Sequence, residues 1–167
     1  MKRYLLLLAP VCLAGALAWA DDPALPDPER GQRLHLNIGL IEVLVDRSVK
    51  LANEEDPLRR AGHCKAIADR MGAEIRWAAD CRDAPRAIEL SRYLHRILDD
   101  GLALNLGRAR KGIPAGSAEE RQMKELQTGA AGLVADLETH LQAAAEEQAE
   151  MHKALDVLRK GKTQAGK

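Results

Sequence analysis

Large aliphatic residues are densest between Leu34 and Ala52, LHLNIGLIEVLVDRSVKLA. Wound at about 100° per residue, this stretch gathers His35, Gly39, Glu42, Asp46, Lys50 and Asn53 into a narrow polar stripe, and most of the circumference is apolar. Leu34, Ile38, Ile41, Val45 and Ser48 repeat with 4-3-4-3 spacing, while Leu36, Leu40, Val43, Leu44 and Leu51 fill the other faces. The pattern predicts a central helix with at least two neighbours. Each buried aliphatic contributes about 1.5–3 kcal/mol to a total stability of only about 5–15 kcal/mol. On this reading Ile41→Asp abolishes cooperative unfolding.

Helix starts are marked four times: Asp27-Pro28, Asp56-Pro57, Asp83 ahead of Ala84-Pro85, and Ser117-Ala118-Glu119-Glu120. The first two place a capping carboxylate before a proline in the first turn, and the last is a capping box. Helices are expected over 28–53, 57–80, 84–111 and 118–160, with ends uncertain by about 2–4 residues. Short connections make neighbours antiparallel, and no stretch alternates with period two. The fold class is therefore all-α, an up-and-down antiparallel bundle of four helices over 27–160. Asp99-Asp100-Gly101 and the glycines at 129 and 132 are the places where a helix could bend or end.

The last helix sets a length problem. At 1.5 Å per residue it runs about 64 Å against about 39 Å for the first, so an unbroken version projects by about 25 Å as a coiled-coil arm. Met123, Leu126, Ala130, Leu133 and Leu137 form a heptad stripe that shifts phase at Leu141. It resumes through Ala144, Gln148, Met151, Leu155 and Leu158. Leu141, Met151, Leu155 and Leu158 are then the expected interaction residues. A fold-back at Gly129 to Gly132 would instead hide them in a fifth helix.

Composition changes the picture at the N-terminus. Lys2 and Arg3 precede an apolar run from Leu5 to Leu17 and then Ala18-Trp19-Ala20, which is the pattern of a secretory signal peptide over 1–20. A retained anchor and a lipid on Cys12 are the rival readings. The run is short for a span of about 20 residues, and Pro10 makes a poor lipidation sequence. Asp21 to Pro26 reads as an extended linker, and 161–167 as a disordered tail. The chain carries 25 basic and 25 acidic residues. Cleavage removes Lys2 and Arg3, which leaves the remainder slightly acidic. With Trp77 and Tyr93 its only aromatics, that remainder has few stacking surfaces, and nucleic acid is not an expected partner. The expectation is a periplasmic or secreted protein without stable membrane insertion after cleavage.

Candidate chemistry is sparse. Ala61, Cys64, Ala68, Met71, Ile75 and Ala78 form a seam on the second helix, which puts Cys64 in the core. Cys81 lies about 25 Å further along a continuous helix, so either the helix breaks near Gly72 or the two thiols do not pair within one chain, and unpaired thiols are the expectation. Asp136 and His140, His95 and Asp99, and His152 and Asp156 sit one turn apart, so each pair offers two metal ligands on one face. Asp136 and His140 are the leading metal candidates, and a solvated pair explains them as well. No residue three before a histidine is Glu, and no Cys-x-x-Cys-His occurs. Neither His-Glu-x-x-His nor Gly-x-Ser-x-Gly is present, so no catalytic residue is assigned and no cofactor is expected. Arg92, His95, Arg96, Asp99 and Asp100 make a charged patch on the third helix, and Arg108, Arg110 and Lys111 a basic final turn.

In outline the chain resembles small exported four-helix bundles, among them cytochromes of that shape and helical chaperones. That outline is shared by unrelated proteins and carries no function. None of their motifs falls on these residues. The expected function is a non-enzymatic exported bundle that binds an unidentified protein partner or itself. The alternative is a metal- or haem-binding bundle in the same compartment.

Overall fold

The computed structural model describes the backbone of residues 27–165 and the side-chain surroundings of 38–160. The leader expected over 1–20 and the linker over 21–26 lie outside the described residues. From Asn37 onward the chain forms one compact unit, and the packing below is that of this unit. All the described elements are helical. Helix α1 spans Asp27–Asn53, α2 Pro57–Asp80 and α3 Ala84–Arg96. A π-helical segment, Ile97–Ala103, carries α3 without a break into α4, Leu104–Arg110. Helix α5 spans Ala118–Glu147, and α6 His152–Ala165. Counting α3, the π segment and α4 as one rod gives five rods rather than the expected four.

The caps form from the residues that announced them. The Asp56 carboxylate accepts the Leu58 N–H at 3.0 Å, and Asp83 accepts that of Arg86 at 3.2 Å. The Ser117 hydroxyl accepts the Glu120 N–H at 3.1 Å, while the Glu120 carboxylate accepts the N–H of Gly116. The first three bonds each satisfy a donor that the first helical turn leaves free, and the last ties the residue before the Ser117 cap to that turn.

The hub of the bundle is α2, which corrects the expectation for α1. Helix α2 packs against α3, the π segment, α4 and α5. All six residues of its predicted seam are buried, Ala61, Cys64, Ala68, Met71, Ile75 and Ala78. Small side chains explain why an alanine-rich helix is central, since they let several backbones approach at once. At Gly72 the approach is extreme: a Cβ there would lie 2.6 Å from Leu133 Cδ1 of α5.

The projecting arm is also corrected. Helix α5 passes Gly129 and Gly132 unbroken and ends at Gln148, where φ −138° and ψ 106° leave the helical region. After a 3-10 turn over Ala149–Met151, α6 folds back onto α3 and α5. Leu141, Met151, Leu155 and Leu158 are thus core residues rather than an exposed seam. Helix α6 runs to Ala165, into the stretch read as a disordered tail. Among the described residues no helix is long and apolar enough to cross a membrane.

Candidate functional site

Helix α1 has two apolar faces, and the bundle uses one. Leu40 is buried, and Leu44 and Leu51 pack against the core clusters. The opposite face carries Ile38, Ile41, Val45 and Val49, exposed at 42%, 55%, 57% and 56%. Scattered exposed aliphatics are ordinary, but a row at helical spacing on one face is a patch. Glu42 and Asp46 border the row, and Lys50 Nζ lies 2.9 Å from Asp46. The hydrogen bond from Lys50 holds the Asp46 carboxyl below the usual carboxylate range. The other end of α1 is tied down by Arg60 of α2, whose guanidinium donates to the carbonyls of Leu51 and Glu54 at 2.9 Å each.

A second feature lies at the π segment. Helices α4 and α5 both pack on α2, and between them opens a groove of about 500 Å³. Leu98, Leu102 and Leu106 line one wall, Val134 lines the other, and Leu158 of α6 also contributes. Small residues at Ala103, Gly107, Ala130 and Ala131 keep it open. Its polar lining comes from His95, Asp99, Arg110 and Gln127. The predicted pair of His95 and Asp99 does meet, Nδ1 to Oδ2 at 2.9 Å.

The π segment owes its course to Gly101. A Cβ there would come within 2.9 Å of Cys64 Sγ, so the widened turn passes over the thiol only without a side chain. Asn105, itself buried, donates from Nδ2 to the Gly101 carbonyl at 2.6 Å. Burial pushes the Cys64 thiol up, whereas Cys81 is exposed, and both are free.

The metal candidates separate. His140 Nε2 lies 2.8 Å from Asp80 Oδ1 of α2, while Asp136 is exposed and outside that pair. Among the described residues no three His, Cys, Asp or Glu side chains gather as a metal ion requires. The charged cluster that sequence reading missed is structural: buried Glu74 pairs with Arg70 at 2.7 Å and with Arg86 of α3 at 3.2 Å. Arg86 also stacks over Trp77, 5.5 Å from the ring centre. The only hint was Arg70 four residues before Glu74, a spacing too common to single out.

Among the described residues these features define a helical bundle with an exposed apolar face on α1 and an apolar groove between α4 and α5. No family model, curated protein or solved structure matches the chain.

Proposed function

We propose that this is an exported, non-enzymatic bundle that acts by association, pairing the outer face of α1 with that of a second copy. The observation that carries the reading is the exposed row of Ile38, Ile41, Val45 and Val49, opposite the face that Leu40 holds against the bundle. A helix apolar on two sides is only half covered by its own chain. Burying the row removes apolar surface from water, which is the main favourable term in association.

A second copy suits the row by symmetry. Antiparallel pairing about Val45 would set Ile41 against Val49 of the other copy, each contact occurring twice. The patch is small, so the dimer should be concentration-dependent rather than obligate.

Cysteine crosslinking tests the register. In a chain starting at Asp21 with Cys81→Ser, Val45→Cys should form an intermolecular disulfide under mild oxidation, because its own copy faces it across the twofold axis. Ile38→Cys should stay reduced under the same conditions. Equal crosslinking of both, or of neither, removes this pairing.

A further inference from the structure

We propose that the groove between α4 and α5 binds a free long-chain carboxylic acid, a single-chain amphiphile whose carboxylate sits at Arg110. This site is separate from the outer face of α1 and does not depend on it.

Size and shape come first. About 500 Å³ falls within the range of small-molecule sites, which are lined mainly by apolar side chains with a few polar groups to set orientation. The groove follows one continuous helical rod from His95 to Arg110, which at 1.5 Å per residue is about 22 Å. A trough that long suits an extended chain better than a compact ring. Leu98, Leu102 and Leu106 recur along it, so the apolar contact is spread over its length.

Charge then sets the direction. At the His95 end the imidazole is already engaged by Asp99 at 2.9 Å, and that carboxylate repels an anion. At the other end stands Arg110, exposed, with five donors and a planar fork suited to a carboxylate. Its acidic neighbour Glu120 is held by Lys124 at 2.8 Å and by the Gly116 N–H, so the guanidinium keeps donors for a ligand. The terminal carbonyls of α4 disfavour negative charge there and Glu120 already feels the charge of Arg110, so the attraction has to come from direct hydrogen bonds of the guanidinium to the carboxylate. The head is therefore acidic and the body linear and apolar.

Gly107 gives a clean test, since a Cβ at this position meets nothing within 4 Å and leucine forms helix better than glycine. Gly107→Leu fills the groove without disturbing the fold. The full exported chain is titrated with 11-(dansylamino)undecanoic acid, displaced by palmitic acid or by hexadecanol, with the melting curve recorded for every variant. Expected are saturable 1:1 uptake, loss of at least about tenfold in affinity in Gly107→Leu with the melt retained, and a similar loss in Arg110→Gln for the acid but not for the alcohol. Ala131→Leu on the opposite wall should repeat the Gly107→Leu result. The proposal is overturned by absent uptake, by uptake unchanged in both filling variants, or by equal affinity for acid and alcohol. Uptake only in the presence of phosphatidylglycerol vesicles, or a dimer that Gly107→Leu converts to monomer, would give the groove to a membrane or a second copy and equally overturn it.

Discussion

Gly101 and Cys64 approach so closely that the π segment has room for no side chain: a Cβ on Gly101 would stand 2.9 Å from the sulfur. In an ordinary helix Gly→Ala gains about 1 kcal/mol from propensity. Here overpacking, worth about 1–3 kcal/mol, opposes it. Gly101→Ala should therefore destabilise, and Gly101→Ala with Cys64→Ala should recover part of the loss. Urea denaturation of the four chains in a double-mutant cycle measures the coupling. A stabilised single variant would show that the two residues are not in contact.

Glu74 pairs with both Arg70 and Arg86 in the buried cluster and joins α2 to α3. Removing one member of a buried pair costs about 3–5 kcal/mol. Arg70 is about a third exposed and can reach water, so Glu74→Ala should lose about 3 kcal/mol, at the low end of that range. Chemical denaturation reads this directly. A change under about 1 kcal/mol would mark the cluster as solvated.

Truncation after His140 distinguishes a core segment from an arm. It removes Leu141, Ala145, Met151, Leu155 and Leu158, each buried in the main cluster. Losing several residues worth about 1.5–3 kcal/mol apiece exceeds the stability of a domain this size. The truncated chain should show no cooperative melt by circular dichroism. A wild-type melt would restore the arm.

The start of α5 should respond to acid. The hydrogen bond from Lys124 holds the Glu120 carboxyl low, with the Gly116 N–H adding to it. A group whose folded value is depressed contributes stability that is present above the ordinary value of 4.5 and lost as pH falls through the folded one. The difference between wild type and Glu120→Gln should be constant near neutrality and shrink below that range. Denaturation at a series of pH values checks the sign, and a difference that grows in acid contradicts it.

Much of this fold is written locally, and the errors share one cause. Asp56, Asp83 and Ser117 announce their helices because a cap is a contact between near neighbours. The seam of α2 is legible because small residues at helical spacing permit close packing on any side. The outer face of α1 is exposed although the sequence pattern puts it at the centre, because apolar density shows that a face wants cover and not whether its own chain supplies it. The break at Gln148 has neither glycine nor proline. It is fixed from a distance, by Gln148 Nε2 donating to the Arg82 carbonyl at 3.3 Å and by Arg82 pairing with Glu147. Arg82 itself sits at φ 60°, in the left-handed region. The phase shift at Leu141 was the one trace of that break in the heptad. The groove is invisible in the sequence because it is formed between residues far apart along the chain, on α4 and α5.

The most direct measurement compares Ile41→Asp with the wild-type chain by light scattering over a range of concentrations, with a thermal melt of each. Ile41 is 55% exposed, and a substitution at such a site changes stability by about 0.5 kcal/mol or less. The account predicts a wild-type mass that rises toward a dimer with concentration, a variant that stays monomeric, and two cooperative melts within a few degrees of each other. A variant that does not fold would return α1 to the centre of the core, and a wild-type chain monomeric at every concentration would remove the outer face of α1 as an association surface.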